Sequence, residues 1–430
     1  MSRLTISASG DALIMKRLPP ENAGLGPIRD WLCGAEVRLT NLETTVTDGA
    51  CPPAAFSGGT WLTAPKGVLE DLKAYGFNLI GWANNHCLDY SYEGLEQTRR
   101  ALLEADIPAA GAGRDLYEAA SPTYQEGKGA RCALISVCST FTPSDAAGER
   151  TPACAGRPGL NPLRYDTVCT VTGEHMKALY DIAANTEING FHDLMVRQGF
   201  ARDEGGLTLG GVRFREGERE ERHTYAQKRD VDRCARFVGE ALRRADACVV
   251  MTHSHEMPGS REDQPDEFLV EFAHAMIDAG ASAVVGGGTH RLKPIELYRG
   301  RPIFYSLGNF IFQNGFAPRL PWDFLEKYGL PVDALAGEAL ERRASLATAG
   351  LDRDNTAYLS ALPRMAFEDG RLMSLELMPI ALDRGSRGQA GWPREANEEE
   401  AEEIFSTLSA LSRPYGTEME QKGDRICIKI

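Results

Sequence analysis

The chain alternates short apolar runs with amphipathic stretches, and nearly every apolar run ends in a polar cluster. Leu4-Thr5-Ile6-Ser7-Ala8 has the period-two pattern of a strand and gives way to Ser9-Gly10-Asp11, where the glycine predicts a sharp exit and leaves a carboxylate at the strand tip. Residues 36–40 repeat the theme and lead into Asn41-Leu42-Glu43, in which Asn41 and Glu43 share a face. Residues 66–75 predict an amphipathic helix closed by Gly76, and 77–82 a buried strand ending in Ala83-Asn84-Asn85-His86-Cys87-Leu88-Asp89-Tyr90. A helix over 91–104, an apolar glycine-rich turn over 107–113 and a strand over 130–138 follow.

From 140 to 229 the pattern loosens into turns rich in proline and glycine, with a helix near 174–185 and a run of mixed charge at 213–222 that reads as a solvated surface or a lid. A charged amphipathic helix at 230–245 then feeds the stretch from Ala247 to Phe312, which carries the most chemistry. There Val249 to His255 predicts a strand with His253 and His255 on one face, and Ala283-Val284-Val285 predicts a strand breaking at Gly286-Gly287-Gly288-Thr289-His290 into a tight loop. Residues 313–350 read as an edge flap. Residues 358–367 and 372–380 predict a hairpin around Glu368-Asp369-Gly370, residues 395–411 a helix and residues 425–430 a closing strand. No repeat or low-complexity linker divides the 430 residues, so a single domain is expected, with 140–229 as an irregular insertion or lid.

Composition narrows this picture. With 43% hydrophobic residues the chain can bury a large core, and its net charge of −14 argues against nucleic acid or anionic membrane as the main partner. The first residues carry no apolar targeting segment and no later stretch is long enough to span a bilayer, so a cytoplasmic protein without direct membrane insertion is expected. The ten cysteines include no C-x-x-C pair, which indicates neither a zinc knuckle nor a disulfide framework.

Taken singly, Asp11 reads as a turn residue capping a helix and any one histidine as structural. Three of the eight histidines, however, fall at strand ends within one predicted unit, where active-site groups of open α/β sheets gather. His86 and Asp89 are three apart, so one helical turn lets the carboxylate orient the imidazole.

Together these motifs resemble the CapA family of poly-γ-glutamate capsule synthesis proteins, within the calcineurin-like metallophosphatase superfamily. The resemblance rests on Gly10-Asp11, Asn41-Leu42-Glu43, Ala83-Asn84-Asn85-His86 with Asp89-Tyr90, His253-Ser254-His255-Glu256, Thr289-His290 and Tyr305-Ser306-Leu307-Gly308-Asn309-Phe310. It implies a four-layered α/β/β/α sandwich, completed by residues 357–430, with a metal site at the strand tips. Asp11, Glu43, Asn85, His253, His255 and His290 are then the candidate ligands of a divalent metal. His86, Asp89, Asp11 and His290 are the candidate catalytic groups, and Asn41, Asn84, Glu256 and Asn309 the candidate substrate contacts. Oxygen and imidazole donors without thiolate suit Mn, Fe, Zn or Ca.

Three departures bear on the metal. Asp11-Ala12-Leu13 lacks the histidine of an Asp-x-His opening, Gly287 stands where the family commonly has histidine, and Ser91 where it has glycine. One ion rather than two is therefore expected. The resemblance implies metal-activated hydrolysis of a peptide or polyglutamate-type substrate. The alternatives are peptide epimerisation through His/Asp pairs, phosphoester hydrolysis, and a non-catalytic role in polymer assembly. The oligomeric state is left open.

Overall fold

The computed structural model describes residues 3–49, 51–203, 205–346, 355–385 and 388–430. Its first large sheet has ten strands and is built around Arg3–Leu13. On one side Val37–Leu42, Leu79–Gly81 and Ala109–Ala110 follow in parallel. On the other side Leu359–Glu368, Arg371–Leu382, Arg425–Ile428 and Met419–Lys422 continue antiparallel. Asn309–Phe312 pairs in parallel with the far end of Arg3–Leu13. The second sheet has six strands, with Ala247–Ser254 parallel to both Arg131–Cys138 and Ala283–Gly288 at its centre.

Alternation along these strands feeds separate cores. Val249 and Met251 belong to a cluster shared with Ile6, Val37, Leu39 and Leu377 of the first sheet. Cys248 and Val250 instead join Phe237, Phe268, Phe272 and Met276 from the helices Lys228–Ala241 and Glu267–Asp278. The first sheet likewise turns Ile80 and Phe310 toward Trp31, Leu72 and Leu95 of three further helices. A strand covered on both faces reads as a continuous apolar run, which is why these strands look uniformly hydrophobic. The fold is mixed α/β, as expected.

Several expectations need correction. Arg3–Leu13 does not stop at Ala8: it runs on through Gly10 and Asp11, with irregular register there. Gly10 serves close approach rather than a turn, since a Cβ on it would lie 1.8 Å from the Gly308 carbonyl oxygen. The strand from Ala283 likewise takes in all three glycines and ends at Gly288. The span 140–229 is more regular than expected: Tyr165–Val171, Leu207–Leu209, Val212–Glu216 and Glu221–Ala226 form a four-stranded sheet. Its residues are mostly half-buried or exposed, so polarity does not mark a period of two. The charged run is part of this sheet, and Arg222 and His223 bind Asp266 and Glu267 at the start of a core helix.

Within 313–350 lie the helices Trp322–Lys327 and Ala336–Leu346, and residues 347–350 fall outside the described residues. Phe324 and Ala339 pack there with Trp61 and Tyr90. The helix over 91–104 is found as Ser91–Glu104. The hairpin turns at Asp369 and Gly370, both at positive φ, as a two-residue Asp-Gly turn requires. Among the described residues, no helix is long and apolar enough to cross a membrane.

Candidate metal centre

The carboxyl ends of the parallel strands of both sheets converge. Arg3–Leu13 delivers Asp11, Val37–Leu42 delivers Asn41 and then Glu43, and the turns after Leu79–Gly81 deliver residues 84–89. From the second sheet Ala247–Ser254 delivers His253 and then His255, and Ala283–Gly288 leads to His290. Asn85 and His255 are half-buried, whereas Asp11, Glu43, His86, His253 and His290 are buried, so the group meets solvent on the side of the first two.

Glu43 is the hub. Its Oε1 lies 3.4 Å from His253 Nε2, 3.9 Å from His86 Nε2 and 4.0 Å from His290 Nε2. Yet neither carboxylate oxygen has a hydrogen-bond partner among the described residues, although the side chain is wholly buried. An isolated buried carboxylate is costly unless a cation or proton satisfies it.

The imidazoles around it are held from behind. His290 Nδ1 lies 2.8 Å from Asn309 Oδ1 and His86 Nδ1 lies 2.7 Å from Asp89 Oδ2, so each ring aims Nε2 inward. Such outer partners fix tautomer and orientation in metal sites. His290 itself sits at φ 57°, a strained conformation for a side chain with a Cβ. His253 Nε2 lies 2.8 Å from Asn85 Oδ1 and 3.2 Å from His255 Nε2. Asp11 is committed internally: Oδ1 accepts from Asn41 Nδ2 at 2.8 Å and Oδ2 from the Gly288 backbone at 2.7 Å.

Protonation follows this geometry. Burial, reinforced by the charges of Asp11 and Asp89, pushes Glu43 well above the usual carboxylate range. Burial would also raise Asp11, but His253, then His290 and Asn41, outweigh it and hold Asp11 below that range. Burial pushes His290 down to about 4 and His255 well below the ordinary histidine value, so both are neutral at physiological pH.

The donors form two overlapping triads, Glu43 with His255 and His290, and Asp11 with Glu43 and His253, each with its ligand atoms within 4.8 Å of one another. The carboxylate without a partner and the neutral imidazoles facing it fit a divalent cation. Gly287 is explained by the same packing, because a Cβ there would come within 2.3 Å of Asp11 Oδ1. Ser91 takes φ 59°, the left-handed region in which glycine is unstrained.

The four expected substrate contacts each make hydrogen bonds within the site, with Asn41, Asn84 and Asn309 buried and Glu256 half-buried. Asn309 holds His290 and donates to the Ala357 carbonyl at 2.8 Å. Asn84 bridges Asn41, the Leu42 carbonyl and the His86 backbone, and Asn41 reaches Asp11. Glu256 accepts from the hydroxyls of Ser139, Thr140 and Ser254, and Thr140 Oγ1 also accepts from the His255 backbone at 2.9 Å. Ser139 and Thr140 were missed by sequence reasoning, although they follow the strand over 130–138 and so also stand at a strand end. Lys293 was missed too: it is fully buried, its Nζ donates to the Glu256 carbonyl at 3.4 Å, and burial lowers it to about 8.

Comparison with known proteins adds a family. The family described as bacterial capsule synthesis protein PGA_cap matches residues 5–314. An uncharacterized protein of Sinorhizobium fredii, y4sH, is 33% identical over 96% of this chain and 90% of its own length. A probable polyglutamine synthesis accessory protein of Mycobacterium tuberculosis is 26% identical over 91% of this chain and 76% of its own length. The capsule biosynthesis protein CapA of Bacillus anthracis is 26% identical over 59% of this chain and 45% of its own length.

Proposed function

Because the chain belongs to the bacterial capsule synthesis protein PGA_cap family, we propose that it is a metal-dependent enzyme that hydrolyses an amide bond in a peptide or polyglutamate-type chain. The observation that carries the reading is Glu43, a buried carboxylate without a partner among the described residues, faced by the imidazoles of His86, His253 and His290. In this reading the two large sheets and their flanking helices form one α/β/β/α sandwich spanning residues 1–430, with 140–229 as a lid and 313–350 as a flap.

Glu43, His255 and His290 would hold a single ion, Mn, Fe, Zn or Ca: both Glu43 oxygens lack a partner among the described residues, His290 aims Nε2 at them and His255 Nε2 meets only the His253 ring, whereas Asp11 and His253 are engaged by Asn41 and Asn85. When bound, such an ion supplies Lewis acidity, polarising the scissile carbonyl and acidifying water. His86, fixed through Nδ1 by Asp89, presents Nε2 to the same centre and protonates the departing amine. Asp11 and Asn41 orient His253, and Asn309 orients His290. Epimerisation asks for a second acid-base pair, and Asp11 with His290 serves poorly: they approach only to 4.0 Å, through the nitrogen that Asn309 occupies. Phosphoester hydrolysis would use the same groups. The amide is preferred because relatives are named for capsule and polyglutamine synthesis.

The test is turnover of glutamate oligomers together with metal content. Chelation abolishes turnover and a divalent ion restores it. His86→Ala keeps the ion and the fold but loses activity by a factor of about 10² or more. Hydrolysis undiminished by chelation would overturn the metal dependence, and protein that neither takes up metal nor turns over the oligomer would favour an accessory, non-catalytic role.

A further inference from the structure

A second groove shares none of its lining residues with the candidate metal centre. Along the helix Lys228–Ala241, Arg229, Arg233 and Arg236 fall at positions i, i+4 and i+7 and so form one stripe. That stripe lines a cavity of about 610 Å³ whose wall also carries Arg157 and Arg164. Five arginines in one groove stand out in a chain of net charge −14.

The groove is built on a buried anion. Asp230 is wholly buried and accepts from Arg164 Nη1 at 3.1 Å and from Arg233, which also donates to the Asn161 side chain and the Pro162 carbonyl. Two guanidinium groups are thereby fixed at the base. The other three, Arg157, Arg229 and Arg236, are exposed and make no ion pair with a described residue. Leu116, Ala147 and Gly148 line the same groove and add small apolar surface to its wall.

We propose that this groove binds an extended chain bearing one carboxylate per residue, such as an acidic peptide or glutamate oligomer. Guanidinium forks match carboxylates, and the apolar wall suits the methylenes that carry them. A phosphate polymer shares the anionic chemistry but fits less well: Glu149, Asp230 and Asp232 also line the groove, leaving only a modest positive surplus. That suits sparse charge rather than the dense charge of polyphosphate. The groove is independent of the chemistry assigned to Glu43.

Fluorescence anisotropy with a labelled hexaglutamate tests this. The intact protein binds the probe, more weakly as salt rises. The double variant R229A/R236A, altered only at exposed side chains and melting like the parent, binds at least about tenfold more weakly. Glu43→Gln loses turnover but binds the probe as the parent does, so failure of the groove and failure of the metal-site reading are told apart. No binding, binding untouched by R229A/R236A, or binding lost in Glu43→Gln would overturn the proposal. So would polyphosphate binding in the groove where hexaglutamate does not.

Discussion

Glu43 and the histidines near it are driven in opposite directions by the same burial. The carboxyl holds its proton to unusually high pH, while His255 and His290 shed theirs well before neutrality. A cation entering the site therefore displaces a proton from Glu43 and finds the imidazoles already neutral. Since the raised value favours the protonated form, metal uptake strengthens as the pH rises, and below that value it releases about one proton per ion. Calorimetry in buffers of differing ionisation enthalpy counts that proton. No release, or an equal release in Glu43→Gln, would contradict the placement of the ion. The His86–Asp89 pair was legible in the sequence, because three residues of local chain bring the groups together. The isolation of Glu43 was not, because it arises where strands from two sheets meet and no local pattern records it.

At the scale of single strands and turns, the backbone at Gly287 and Ser91, two positions expected to differ from the family pattern, settles what a substitution there does. Gly287 lies in a strand against Asp11, and Gly287→Ala drives a methyl into that carboxylate. Overpacking of this kind costs about 1–3 kcal/mol, and here it also displaces the group that orients His253. Ser91→Gly acts oppositely: relief of the left-handed strain at φ 59° raises stability by up to about 1 kcal/mol and leaves metal content unchanged. Thermal melts with elemental analysis separate the two, and a Gly287→Ala protein with unaltered melting and metal would show that Asp11 has room to move. Strands covered on both faces and the Asp-Gly hairpin were readable from apolar runs and turn chemistry. The sheet within 140–229 was not, since its residues satisfy a mixed and largely exposed surface. Gly10 was misread because its reason is a carbonyl that arrives from residue 308.

For the molecule as a whole, the family match and the folded unit do not share a boundary. The match ends at residue 314, but Leu359–Glu368 pairs with Arg3–Leu13 from Arg3 to Ser7, and the sheet continues through Arg371–Leu382. The core between the sheets includes Met365, Leu377, Ile404, Leu408 and Ile426, all beyond that limit. At about 1.5–3 kcal/mol for each buried side chain, their combined contribution rivals the roughly 5–15 kcal/mol that separates a folded domain from its unfolded chain. The candidate metal centre depends on this region as well, because Asn309 is anchored to the Ala357 carbonyl and Ser360 Oγ donates to the Leu307 carbonyl at 2.6 Å. A chain cut after residue 314 is therefore expected to expose the edge of Arg3–Leu13, lose cooperative thermal unfolding and bind a hydrophobic dye, rather than survive as a minimal catalytic unit. A sharp melting transition and retained metal in that fragment would mean that the C-terminal strands are an addition to a self-sufficient core. The pairing of Arg3–Leu13 argues the reverse: the strand that carries Asp11 is held in register by residues from the far end of the sequence.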